Sequence, residues 1–160
     1  MSVGPLLVAL VSVPSGLAAD RLGGQQSSVV GLATIAAGTF MLALAPVSLG
    51  LAGYLVPIVV TTLGYSLFQT SNNMVVMKGA SRDAIGAMSG LLNLTRNLGL
   101  ITGASLMGAV FASATSAADL STAAPDAVAY GMQTSFAVAT VMVVAAFIAV
   151  FRSSASGRFP

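Results

Sequence analysis

A chain of 160 residues with 56% hydrophobic and only 6% charged residues cannot build a water-facing surface, since soluble domains carry roughly 25% charged residues. Six basic and four acidic side chains give a net charge of +2, and Glu, His, Cys and Trp are absent. That inventory excludes a disulfide framework, a thiolate site and zinc hydrolysis, and six scattered basic residues form no patch for nucleic acid.

A hydrocarbon core about 30 Å thick needs roughly 20 helical residues to cross, and backbone groups in lipid must be bonded within their own segment. The sequence therefore predicts an all-α, polytopic membrane bundle forming a single transmembrane domain over residues 1–160, with five helices at about 3–19, 28–46, 50–77, 85–113 and 131–151.

The first span lacks the basic n-region of a signal peptide, contains Pro5 and Pro14, and leads directly into further spans. Asp20 and Arg21 come next, and then residues 22 to 77 carry no charge. This stretch holds two crossings, turning at Pro46-Val47-Ser48-Leu49-Gly50.

In the third span Thr61, Tyr65, Gln69 and Asn72 have spacings of four, four and three, which puts them on one helix face; Pro57 and Asn73 share the segment. Such a face either bonds neighbouring helices, at about 0.6 kcal/mol or more per contact, or lines an aqueous cavity. Tyr65, Gln69 and Asn72 are the candidates for the cavity.

The fourth span carries Ser89, Asn93 and Arg96 along one stripe, and Arg96 is the charge set well inside a span. An arginine at the centre of a membrane helix costs about 2.5 to 3.5 kcal/mol on insertion scales, so partners or water should compensate it. Arg96 stands about eleven residues, roughly 16 Å by helical rise, from the nearer end. Snorkelling toward that end and a place in a cavity or interface both account for it, and the second is the expectation carried forward. Gly86 and Gly90, and again Gly99 and Gly103, have G-x-x-x-G spacing, which predicts close helix packing.

The loop from Ala114 to Tyr130 has Asp119 and Asp126 as its charges, whereas Arg21, Lys78, Arg82, Arg152 and Arg158 fall on the other side of the membrane. The positive-inside rule makes the basic side cytoplasmic, with the amino terminus outside and the carboxy terminus inside a cell membrane.

Enzymatic chemistry finds little to use. Ala87-Met88-Ser89-Gly90 has the look of a nucleophile turn, yet no histidine exists to take its proton. The four aspartates lie in loops or at helix ends and form no intramembrane dyad, and no phosphate-cradling loop occurs. No enzyme activity, metal or cofactor is expected.

The string Gly16-Leu17-Ala18-Ala19-Asp20-Arg21-Leu22-Gly23-Gly24-Gln25-Gln26 resembles the G-x-L-A-D-R-x-G-R-[RK] loop signature of the major facilitator superfamily, matching at Gly16, Asp20, Arg21 and Gly23. The closing basic residues are replaced by Gly24, Gln25 and Gln26. Phe68-Gln69-Thr70-Ser71-Asn72-Asn73, then Arg82, Gly86-Ala87-Met88-Ser89-Gly90-Leu91 and Arg96-Asn97-Leu98-Gly99 look like the fourteen-helix multidrug proton antiporters of that superfamily.

This resemblance covers nearly the whole chain and implies an incomplete carboxy-terminal half of a major facilitator fold, since such transporters pair two six-helix halves around a central site. It implies proton-coupled efflux of small organic solutes or drugs, with missing transporter helices or another membrane chain as partners alongside the lipid bilayer. In the family, coupling carboxylates commonly lie at membrane depth, and no acid here does, so coupling would use the missing part. Asp20 and Arg21 would hold adjacent cytoplasmic helix ends, Asp20 accepting from the start of the fourth helix near Ala84 to Gly86. The rival expectation is a non-transporting membrane scaffold that packs with partner helices through its glycine faces; an oligomeric channel ranks below both, since nothing resembles a ring of charged side chains or a selectivity loop.

Overall fold

The structure, a computed structural model, describes residues 23–46, 50–115 and 124–155. These residues form α1 (Gly24–Leu44), α2 (Gly50–Lys78), a 3-10 turn at Arg82–Ala84, α3 (Ile85–Thr115) and α4 (Pro125–Ala155), and no strand occurs among them. The expected first helix over 3–19 lies outside the described residues, as do Gly16, Asp20 and Arg21. The architecture is thus all-helical, with four helices among the described residues where five were expected for the chain.

Three of the described helical segments, Gly24–Leu44, Arg82–Thr115 and Pro125–Ser153, are long and apolar enough to cross a membrane. α2, with 29 residues, is long enough to cross as well.

Helix boundaries reflect local chemistry. Gly23 caps the start of α1 at φ +82, a conformation that costs a Cβ-bearing residue, and its carbonyl accepts from Ser27 N–H at 3.1 Å. α1 stops at Leu44 because Ala45 precedes Pro46 and is pushed into extended backbone, with ψ 114. α4 begins at Pro125, well before the expected start near residue 131. Proline suits a first helical turn, where no intrahelical N–H bond is lost, and Asp126 favours the positive end of the helix dipole. A polar proline-containing stretch that looks like loop is in fact the start of a helix.

α1 and α2 pack antiparallel with their backbones in close approach. A Cβ added at Gly31 would lie 2.7 Å from the backbone nitrogen of Phe68, and one at Gly64 would lie 2.7 Å from that of Ile35. Gly38 faces Thr61 and Pro57, and Gly24 faces Val75 and Ser71. On α2 the contact runs through Pro57, Thr61, Gly64, Phe68, Ser71 and Val75, alternating steps of four and three. On α1, Gly24, Gly31 and Gly38 recur every seven residues, the period that keeps one seam facing a partner in a left-handed supercoil.

Four hydroxyls along this contact bond back into their own helices, whereas the buried Ser27 Oγ has no partner among the described residues. Ser28 donates to Gly24 O at 2.9 Å, Thr39 to Ile35 O at 3.0 Å, Thr61 to Pro57 O at 2.8 Å and Ser71 to Leu67 O at 2.7 Å. They pack as small residues with their polarity already satisfied, rather than as bonds between helices.

α4 packs against α1 and α3, and the α2–α3 boundary is the least closely packed of the main helix pairings. Apolar side chains are exposed all around α3, among them Leu91, Leu94, Leu98, Leu100 and Ile101, as befits a helix in an apolar medium or under further helices.

Candidate functional site

The polar face of α2 lies beside the glycine contact rather than within it. Thr61 turns toward α1, where it meets Gly38, while Tyr65 is 42% exposed, Gln69 is half-buried and Asn72 is exposed. Asn73, one helical turn beyond Gln69, reaches across to α3.

That contact is with Arg96. Its Nη2 donates to Asn73 Oδ1 at 3.3 Å across the α2–α3 boundary, and its Nη1 donates to Asn93 Oδ1 at 3.5 Å within α3. Both distances are at the long end of the hydrogen-bond range. A guanidinium has no acceptor, so each amide must turn its oxygen inward and its NH2 group away.

Arg96 sits on the inner side of α3. Leu92, Arg96, Gly103, Met107 and Val110 are half-buried and fall on one helical stripe, while Leu94, Leu98 and Ile101 around them are exposed. Helical side chains lean toward the amino terminus of their helix, which carries the Arg96 head group down α3 to Asn73, near the carboxy-terminal end of α2 at Lys78. Among the described residues no carboxylate comes within ion-pair distance of Arg96, and no three metal-ligating side chains gather.

The remaining predicted site residues serve different ends. Asn93 is exposed and reaches Arg96. Gly23 is the positive-φ cap of α1, a structural reason for glycine at that loop position. A Cβ added at Gly86, Gly90, Gly99 or Gly103 would meet nothing within 4 Å, so within the described residues these glycines border open space.

At the opposite end of the bundle Gln133 of α4 donates its Nε2 to Ala45 O, the last turn of α1, at 3.2 Å. Nearby, Gly131 is seated so closely against Thr115 and Phe111 of α3 that an added Cβ would lie 2.6 Å from Thr115 Cγ2. Sequence reasoning singles out neither residue. A lone amide in an apolar helix is the available signal for Gln133.

Arg96, held by the two amides on the inner stripe of α3, thus stands beside the polar face of α2. The sequence profile described as the Major Facilitator Superfamily matches residues 1–104, more than half of the chain. The chain belongs to the major facilitator superfamily. It is also similar to a protein of Escherichia coli (strain K12) described as an uncharacterized transporter, YebQ, with 32% identity over 103 residues. That match takes in 64% of this chain but only 22% of the relative, so the chain spans well under two thirds of the curated relative's length. No solved structure matches. Within this major facilitator chain the matched region takes in α1, α2 and the part of α3 that carries Arg96.

Proposed function

We propose that the chain is part of a secondary active transporter that exports small organic solutes or drugs in exchange for protons, in the manner of the fourteen-helix antiporters. The observation that carries this reading is the Arg96–Asn73 bond on the inner side of α3, next to the face bearing Tyr65, Gln69 and Asn72. Polar and charged groups at membrane depth typically face a bundle interior or a pathway.

On this reading residues 3–19 add a fifth span, the amino terminus is outside, and the carboxy terminus is cytoplasmic in the cell membrane. Tyr65, Gln69, Asn72, Asn93 and Arg96 border the solute pathway. Asp20 and Arg21 hold cytoplasmic helix ends in one of the alternating-access states. The proton-binding carboxylates belong to other helices of the same transporter or to a partner membrane chain, and Gly86, Gly90, Gly99 and Gly103 pack against those helices. The open space at these four glycines is what favours such added helices, and it equally suits a non-transporting scaffold.

Reconstitution separates the two. Proteoliposomes containing the complete natural product, energised with an imposed pH gradient, should move members of a panel of fluorescent organic solutes, and dissipating the gradient should stop them. Absence of flux across the panel, with correctly inserted protein, would leave the scaffold as the function.

A further inference from the structure

The cluster formed by Arg96, Asn73 and Asn93 has an unusual chemical polarity. Both amide oxygens face the guanidinium, at 3.3 and 3.5 Å, so what the cluster turns outward is a set of N–H donors: the remaining guanidinium hydrogens and the two amide NH2 groups. Among the described residues this full positive charge is met by neutral partners alone. Amide bonds of this length orient the guanidinium without neutralising it.

The setting makes that charge available. Arg96 is half-buried on the inner stripe of α3, at the least closely packed helix boundary, while Asn93 beside it is exposed. Asp83 stands by the 3-10 turn before α3 and Asp126 in the first turn of α4, and neither is within ion-pair distance of it.

From these observations we infer that Arg96, Asn73 and Asn93 form a receptor for a planar oxyanion, a carboxylate above all. The guanidinium fork binds both carboxylate oxygens in parallel and the amide NH2 groups add lateral donors. A cationic head group is repelled by the same site. The carboxylate has two available sources: an acidic group on the transported solute, or an acidic side chain from another part of the polypeptide that carries this sequence. The first source rests on the transport reading; the second does not.

The test uses the complete polypeptide in lipid nanodiscs, with thermal stability measured against benzoate, its neutral amide benzamide and its cationic analogue benzamidine. Benzoate should raise the Tm in a saturable way while the other two do not. Arg96→Gln should abolish the response, and Asn93→Ala, at an exposed position that leaves the fold intact, should weaken apparent benzoate affinity roughly tenfold by removing one bond to a charged group. If an internal acid already fills the site, benzoate will have no effect. In that case Arg96→Glu will lower the Tm, and changing one intramembrane acid elsewhere to Lys will restore it. No benzoate response together with no charge-swap rescue overturns the inference. Flux is scored separately, so a benzoate response without transport would sink the transport reading and leave the oxyanion site standing.

Discussion

Asn73 of α2 accepts a hydrogen bond from Arg96 of α3 at 3.3 Å, joining two helices that otherwise touch little. The bond should behave as an energetic coupling. In a double-mutant cycle with Asn73→Ala and Arg96→Gln, read by unfolding in detergent micelles, the coupling should fall near the membrane range of about 0.6 to 1.7 kcal/mol. Asn72→Ala, one residue away, should show none with Arg96.

The close contact of α1 with α2 predicts opposite outcomes for glycines that look alike in sequence. Gly31→Ala drives a methyl group to 2.7 Å from Phe68 N, a backbone atom that cannot swing aside, and should cost about 1 to 3 kcal/mol. Gly90→Ala enters open space and should be neutral or stabilising by up to about 1 kcal/mol through helix propensity in the isolated chain. Repeating Gly90→Ala in the complete natural polypeptide should give a loss instead if a further helix packs there. Thermal unfolding of each variant beside its parent protein checks both statements.

Composition makes the helical membrane character legible, and the isolation of Arg96 in an apolar stretch marks it from the sequence alone. Its partner is not legible: Asn72 and Asn73 are adjacent, and the choice depends on the rotation of α2 about its axis, which the contact with α1 fixes. The expected glycine packing rests on spacings of four in α3, a common pattern. In the structure the intimate contact uses glycines seven apart at Gly24, Gly31 and Gly38, a signal present in the sequence but spread over a longer window. The start of α4 escapes sequence reasoning because Pro125 and Asp126 are equally good loop formers and helix starters, and only the helical run after them decides.

Gln133 predicts a local effect. Gln133→Leu keeps the side-chain volume but removes the donor to Ala45 O, leaving a carbonyl at the end of α1 to find another partner. A loss of about 1 to 2 kcal/mol is expected, together with faster amide hydrogen exchange confined to the last turn of α1.

The absence of cysteine makes the topology directly measurable. Single cysteines at Ser81 and Ala124 in intact cells should react differently with an impermeant maleimide. Ala124→Cys should label from outside, and Ser81→Cys only after the membrane is opened. The reverse pattern would invert the proposed orientation.

The glycine contact joins two helices that are neighbours along the chain, separated by five residues, so closing it involves little loss of chain entropy. The α1–α2 hairpin can therefore assemble as soon as both segments have left the translocon, before α3 and α4 are synthesised. The order of biogenesis is then written into the chain: a tight hairpin first, and only afterwards the helix bearing Arg96, which meets a finished surface where Asn73 is already in position.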